Sequence, residues 1–247
     1  FRMWYFAFNT ERRWDELDRG GYCYAESRDG LHWTKPDLNL FEFRGSKRNN
    51  LFYSCAPDGV NLVDEELARR GLGLPAIDEK GETIGVINNL DGLTVVRDDD
   101  DPDPQKRYKL IANMQDHRMW APYNPKRYPN VTPEQVKKSA RVFGQYMDTS
   151  PDGIHWTRRP QRLMAARGGD YMMVTRDHRN KQWWLNERAH DQEGRNASLR
   201  TSKDWQQWSD LEVIFGKNSD PNFNRTFQWH GGMTPFNYGN LNLGLLE

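Results

Sequence analysis

Two seven-residue strings far apart in the chain are nearly identical: Ser27-Arg28-Asp29-Gly30-Leu31-His32-Trp33 and Ser150-Pro151-Asp152-Gly153-Ile154-His155-Trp156. Thr201-Ser202-Lys203-Asp204-Trp205-Gln206-Gln207-Trp208 is a degenerate third copy. Each follows a run that reads as a strand: Gly21 to Glu26, Val142 to Asp148 and Arg195 to Arg200. Asp-Gly favours a tight hairpin, because glycine reaches positive φ without steric penalty. The tryptophan that follows is expected to pack its ring between layers of sheet, so Trp33 and Trp156 are assigned to the core. One such string fits any all-β protein. Its near-exact return predicts a strand-turn-strand unit of roughly 40 to 60 residues, repeated as a solenoid or a propeller.

Composition supports small sheets joined by rings. Apolar residues make up 36% of the 247, while aromatics reach 13%, a poor match to the long aliphatic stripes of a helical bundle. Thirty-five basic residues balance 35 acidic ones, so no global field points to nucleic acid. Cys23 and Cys55 are too few for a disulfide framework, and no Cys-x-x-Cys or His-Glu-x-x-His spacing suggests a metal. No long apolar run suggests a membrane span. The chain begins and ends inside strand-like runs and lacks an initiator methionine, so it reads as a fragment cut at both ends. A secreted or periplasmic location is compatible with that reading, its signal peptide lying upstream.

A second pattern is a hairpin of strand, polar turn and strand. It occurs at 92–97 with 107–112, at 171–176 with 182–187, and at 233–238 with 241–246. Combined with the Asp-Gly copies, these hairpins give four-stranded units at about 92–160 and 171–212. A unit without its first strand opens the chain, with strands at 2–9 and 20–26 and a short edge strand around Trp33. A unit without its outer half closes it. Thr132-Pro133-Glu134-Gln135 carries a helix N-cap, a proline at the first helical position and a glutamine at the third, so a short helix should run to about Ala140. The fold class expected is all-β: a propeller of four-stranded antiparallel blades with about four blades represented. Residues 1–247 form one partial propeller domain, with an irregular insertion at about 58–83 and a helix-bearing one at about 115–141. Within the first insertion, Leu62 to Arg70 could make a short helix.

The run Tyr22 to Pro36 resembles a stretch of bacterial glycoside-hydrolase-like five-bladed propellers, relatives of glycoside hydrolase families 32 and 43. Phe41 to Asn50, Thr94 to Asp98 with Arg107 to Lys109, Gly169-Asp170 with its tryptophan-rich hairpin, and Gly232 to Phe236 are similar to the same group. The resemblance implies a carbohydrate ligand, and cleavage of glycosidic bonds in plant or microbial glycans. Related propellers sometimes hold calcium, but no ligand set in this sequence identifies a site, and no cofactor is expected. A carbohydrate-binding propeller without catalysis is the alternative, and a protein-binding scaffold a third reading.

In a propeller, residues just before each inner strand converge near the axis. Here those are Asn88 to Asp91, Gly168 to Asp170 and Gln228 to Gly232. Asp91 and Asp170 are therefore the candidate carboxylates, since glycosyl transfer needs an acid and a base or nucleophile. The resemblance matches Asp170 to a transition-state-stabilising aspartate. It also places a general-acid glutamate before Gly232-Met233, where this chain has Gln228, Trp229 and His230. Glutamine delivers no proton; His230 could, having a reference pKa of about 6.5. Trp229 is a candidate sugar platform and Gln228 a polar contact. Arg188, which matches an arginine recurrent in the group, and Glu187 beside it are further candidate substrate contacts, the alternative being a surface or inter-blade salt bridge at a strand end. The first-blade acid of these families would precede Phe1.

Overall fold

The computed structural model describes residues 1–8, 20–43, 45–55, 71–126, 128–165, 171–191, 194–215, 233–239 and 241–246. Strands β1 (Arg2–Phe8), β2 (Gly20–Glu26) and β3 (Leu51–Tyr53) form an antiparallel sheet in that order. A hairpin of β4 (Leu74–Ile77) and β5 (Thr83–Ile87) follows. Next comes a four-stranded sheet of β6 (Asn89–Arg97), β7 (Tyr108–Gln115), β8 (Gly144–Ser150) and β9 (Arg162–Ala165). A second has β10 (Met172–Asp177), β11 (Gln182–Asp191), β12 (Gly194–Ser202) and β13 (Glu212–Phe215). The hairpin of β14 (Met233–Tyr238) and β15 (Leu241–Leu246) comes last. Every pairing within these sheets is antiparallel and sequential, the meander of a propeller blade.

The sheets are arranged radially. Thr94 Oγ1 on β6 donates to Met173 Sδ at 3.8 Å and accepts from the Val174 amide at 3.3 Å. Arg176 at the far end of β10 reaches Asp100, just past the end of β6, at 2.7 Å. The two first strands therefore lie side by side and run the same way. β14 lies against β10 in turn. The first sheet abuts the second through Trp4 Nε1 on the Gly153 carbonyl, 2.8 Å, and Tyr53 OH on Asp148 Oδ2, 2.6 Å.

Packing follows from this order. Every residue of β7 is buried, because the strand has a neighbouring sheet on each side. Leu110, Ala112 and Met114 face a core shared with Tyr24, Phe52 and Tyr53 of the first sheet. Ile111, one residue out of phase, faces Met172, Trp183 and Leu185 of the third. Burial of each such aliphatic side chain contributes roughly 1.5–3 kcal/mol.

The three look-alike strings adopt one turn. In the first, Asp29 Oδ1 accepts the amides of Leu31 and His32 at 2.8 Å each, and Ser27 Oγ accepts that of Gly30 at 2.8 Å. Asp152 with Ser150 repeats this with the same amides, and Asp204 with Ser202 repeats it again. Gly30 and Gly153 have φ of 80° and 79°; Trp205 takes the same left-handed place with φ 66°. The turn closes through a single bridge to the next chain segment, Glu26 to Thr34 and Thr149 to Thr157, rather than through a regular two-residue hairpin. No strand forms around Trp33; the outer strand of the first sheet is Leu51–Tyr53, after Pro36 has interrupted the backbone ladder. Trp33 is 37% exposed rather than core, its one hydrogen bond among the described residues going to the Gly30 carbonyl of its own turn, whereas Trp156 packs on Phe52 with ring centroids 6.4 Å apart.

Helix α1 (Pro133–Ala140) forms as its sequence predicts, with both halves of the capping box between Thr132 and Gln135. The region expected to be irregular to residue 83 contains β4, and β6 begins at Asn89 rather than at Gly92. Pro75 is tolerated because, among the described residues, β4 is laddered with β5 on one side and makes a single bridge, Ile77 to Gln161, on the other, which leaves Pro75 on an edge. The helix suggested for 62–70 lies outside the described residues.

Candidate functional site at the leading ends of the inner strands

β6 starts with a bulge. Leu90 pairs with Met114 and Leu93 with Ala112, so Asp91 and Gly92 together oppose Asn113. Gly92 has φ 91°, a left-handed conformation that glycine adopts freely, and its amide donates to Tyr22 OH of the first sheet at 3.2 Å. An extra residue in one strand turns the side chains beside it away from the regular alternation, which is how strands commonly re-aim a functional group. Asp91 is half-buried at this position.

The same end of the sheet carries a chain of polar contacts that the sequence did not disclose. Asn89, the first residue of β6, is opposite Gln115, the last of β7, and its Oδ1 accepts from Gln115 Nε2 at 2.8 Å. Gln115 Oε1 accepts from Trp120 Nε1 at 2.9 Å. Trp120 lies on a 3-10 segment, His117–Tyr123, that is capped by Asp116. Asp116 is 1% exposed and accepts from Asn88 Nδ2 at 3.0 Å, Ser139 Oγ of α1 at 2.9 Å and the Arg118 guanidinium. Burial alone would raise its pKa, but Arg118 and Asn88 outweigh burial and hold it below the ordinary carboxylate value.

Glu187 and Arg188 stand on β11 of the next sheet, level with the first residue of β10, while β11 and β12 continue to Asp191 and Gly194. Glu187 opposes Met172 and Ser198, and Arg188 opposes Ala197. Glu187 is 1% exposed, with Oε1 accepting from Arg200 Nε at 2.8 Å and Oε2 from Gln145 Nε2 at 2.5 Å. Gln145 belongs to β8, so the contact ties two blades together. A ligand reaching the Glu187 carboxylate directly would have to displace one of these partners. Arg188 points to the other face, as neighbours on a strand do, and is also buried. Its amide donates to the carbonyl of Tyr171 at 3.2 Å. Asp170, Gln228, Trp229 and His230 lie outside the described residues.

Of the residues expected at the site, the structure describes Asp91, near the start of β6, and Glu187 and Arg188, which are level with the start of β10 but in the middle of β11. Asn89, Gln115, Trp120, Asp116 and Gln145 join them. Their only signal in the sequence was position, at the ends of strand-like runs; the cross-strand register that unites them has no local signature. Among the described residues no group of three His, Cys, Asp or Glu side chains could hold a metal ion. No helix among them is long and apolar enough to cross a membrane.

Fold and strand order define an all-β chain built of propeller blades. No family model matches the chain, and no curated protein matches it. It is similar in shape to a GH32 beta-fructofuranosidase of Bombyx mori, at 10% identity and a TM-score of 0.49 over 100% of this chain and 38% of that one. A putative glycoside hydrolase of Parabacteroides distasonis gives 11% identity and a TM-score of 0.36 over 67% of this chain and 44% of its own. A glycosyl hydrolase of Bacteroides ovatus gives 9% and 0.30 over 53% and 33%. The chain thus spans less than half the length of each. At these values the architecture rests on the strand pairing described above.

Proposed function

We propose that this chain is part of a glycoside-hydrolase-like propeller that takes a carbohydrate at the axial end of its blades and acts on a glycosidic bond through Asp91 and Asp170. The observation that carries this reading is the parallel alignment of β6 with β10, fixed by Thr94 against Met173 and Val174. Asp91 is three residues before Thr94 in the sequence, and Asp170 is three before Met173. The alignment supports treating the two carboxyls as a pair. The Arg188 amide on the carbonyl of Tyr171, the residue after Asp170, supports Arg188 as a nearby substrate contact.

The chemistry requires a proton on the leaving oxygen and a carboxylate acting as base or nucleophile, with their separation deciding inversion or retention. A carboxylate near the axis also stabilises oxocarbenium charge as it develops. His230 is the proton donor in this scheme, with Gln228 and Trp229 as sugar contacts. Glu187 acts behind this layer, through Arg200 and Gln145.

The full-length protein should be assayed on arabinoside, fructoside, galactoside and xyloside substrates, beside Asp170→Asn and Asp91→Asn. Each substitution is expected to lower turnover by about 10²–10⁴-fold, the usual contribution of a positioned acid or base. Unchanged turnover in both variants removes these aspartates from the mechanism. The second reading, binding without cleavage, is favoured by Gln228 in place of an acid. It predicts glycan binding without turnover.

A further inference from the structure

We propose that Trp120 and Tyr123 form a stacking platform for a second sugar unit beside the leading end of β6, so that the ligand of this protein is an oligosaccharide. The inference rests on the carbohydrate reading above and adds the ligand's length and the residues that measure it.

Trp120 and Tyr123 are exposed, at 36% and 77%, with ring centroids 5.9 Å apart and planes inclined by 54°. The 3-10 segment that carries them packs its other side inward. Ala121, between them, is buried against Tyr128, Val131 and Val136 beneath. Asp116 anchors the start of the segment, and the Asn124 amide donates to the carbonyls of Trp120 and Ala121 at 3.1 Å each. The indole N–H is committed to Gln115, and Gln115 to Asn89. What Trp120 still offers is its ring face, at a fixed angle. Asn89 is two residues before Asp91 on β6, so the relay fixes Trp120 to the strand that carries the candidate carboxylate.

The chemistry selects the occupant. A protein-binding hot spot sits within a broad apolar patch sealed by further contacts. Among the described residues the exposed surface of this segment is the two rings with Pro122 and Pro125, and with Asn124 and Lys126 beside them. A shallow V of two aromatic faces bordered by hydrogen-bonding groups fits one ring with an apolar C–H face and a polar rim, which is a sugar. Because the Trp120 ring is held through its indole N–H, little of its side-chain freedom is lost on binding.

The test is calorimetric titration of the full-length protein with monosaccharides and with tri- to hexasaccharides of fructan, arabinan, galactan and xylan, using Asp91→Asn wherever the ligand is consumed. Oligosaccharides are expected to bind more tightly than the monosaccharides. Trp120→Ala and Tyr123→Ala should each weaken oligosaccharide binding roughly tenfold, the scale of one aromatic contact, and leave monosaccharide binding unchanged. Trp120→Phe, which keeps a ring face, should lose less. Tyr123 is so exposed that its truncation leaves the fold intact. Oligosaccharide affinity unchanged in both alanine variants overturns the platform and leaves the axial reading standing. Oligosaccharides bound no more tightly than monosaccharides do the same. If none of these glycans binds the wild type, both proposals fall together.

Discussion

At the scale of single residues, carboxylates do most of the structural work in this chain. Asp29, Asp152 and Asp204 each gather backbone amides into a turn. For Asp152, partial burial pushes the pKa up, but the His155 ring, the amides of His155 and Ile154, and Ser150 together bring it down to about 2. A carboxyl whose folded pKa is depressed stabilises the protein above its unfolded value, near 3.9, and that contribution disappears as pH falls through the folded value. The stability difference between wild type and Asp152→Ala, measured by urea denaturation, should therefore be largest above about pH 4 and shrink towards about pH 2. A difference that stays constant over this range would show that the amide contacts do not depend on the charge. Asp91 was a candidate by its place just before the run 92–97, but β6 begins at Asn89, and the bulge that holds Asp91 and Gly92 cannot be counted from sequence. Asp116 and Gln145 were not: Asp116 is notable for burial beneath its 3-10 segment and α1, and Gln145 for a contact across a blade junction, and neither has a local signature.

At the scale of elements, the turns show why some parts of the fold were readable. Asp-Gly, Ser and Trp act within a few residues of one another, so their geometry is encoded locally, as is the capping box of α1. The β4–β5 hairpin was hidden by Gly71, Gly73 and Pro75, which read as breakers although Pro75 sits harmlessly on an edge strand. The turns also differ in what surrounds them. A Cβ on Gly30 would meet Phe1 at an ordinary 3.5 Å, whereas one on Gly153 would lie 2.8 Å from Trp4 Cζ2 and 3.2 Å from Tyr108. Both positions require positive φ, which costs an alanine about 1 kcal/mol. Gly30→Ala should lose about that much, and Gly153→Ala more by at least 1 kcal/mol, the scale of overpacking between well-packed rings. Equal losses in thermal or urea unfolding would refute the idea that the second turn is clamped between blades.

At the scale of the whole molecule, neighbouring blades are joined by polar ties as well as by apolar cores. Lys109, 2% exposed on β7, donates to Asp98 at 3.0 Å, Asp101 at 2.7 Å and the Lys106 carbonyl at 2.8 Å. Asp98 also accepts from Trp205 Nε1 of the next blade at 2.8 Å. Trp205 packs on Trp183 with ring centroids 4.4 Å apart and planes tilted by 42°, which explains why a tryptophan holds the left-handed position of the third turn: the ring contributes about 3 kcal/mol, more than the roughly 1–2 kcal/mol of backbone strain. Lys109→Met retains the length and apolar body of the side chain but leaves two carboxylates without their cation. It should destabilise the protein by about 3 kcal/mol, read from urea unfolding. A loss below about 1 kcal/mol would place the pair with ordinary surface ion pairs. This wiring between blades depends on strand register, and so could not be read along the chain.

The middle turn has given away one of its own acceptors. In the first and third turns the closing tryptophan donates to the carbonyl three residues back, Trp33 to Gly30 at 3.1 Å and Trp208 to Trp205 at 3.3 Å. In the second, the Gly153 carbonyl receives Trp4 instead, and Trp156 Nε1 has no acceptor among the described residues. The three loops are consequently not interchangeable parts: grafting the first into the place of the second would set two indoles competing for a single oxygen.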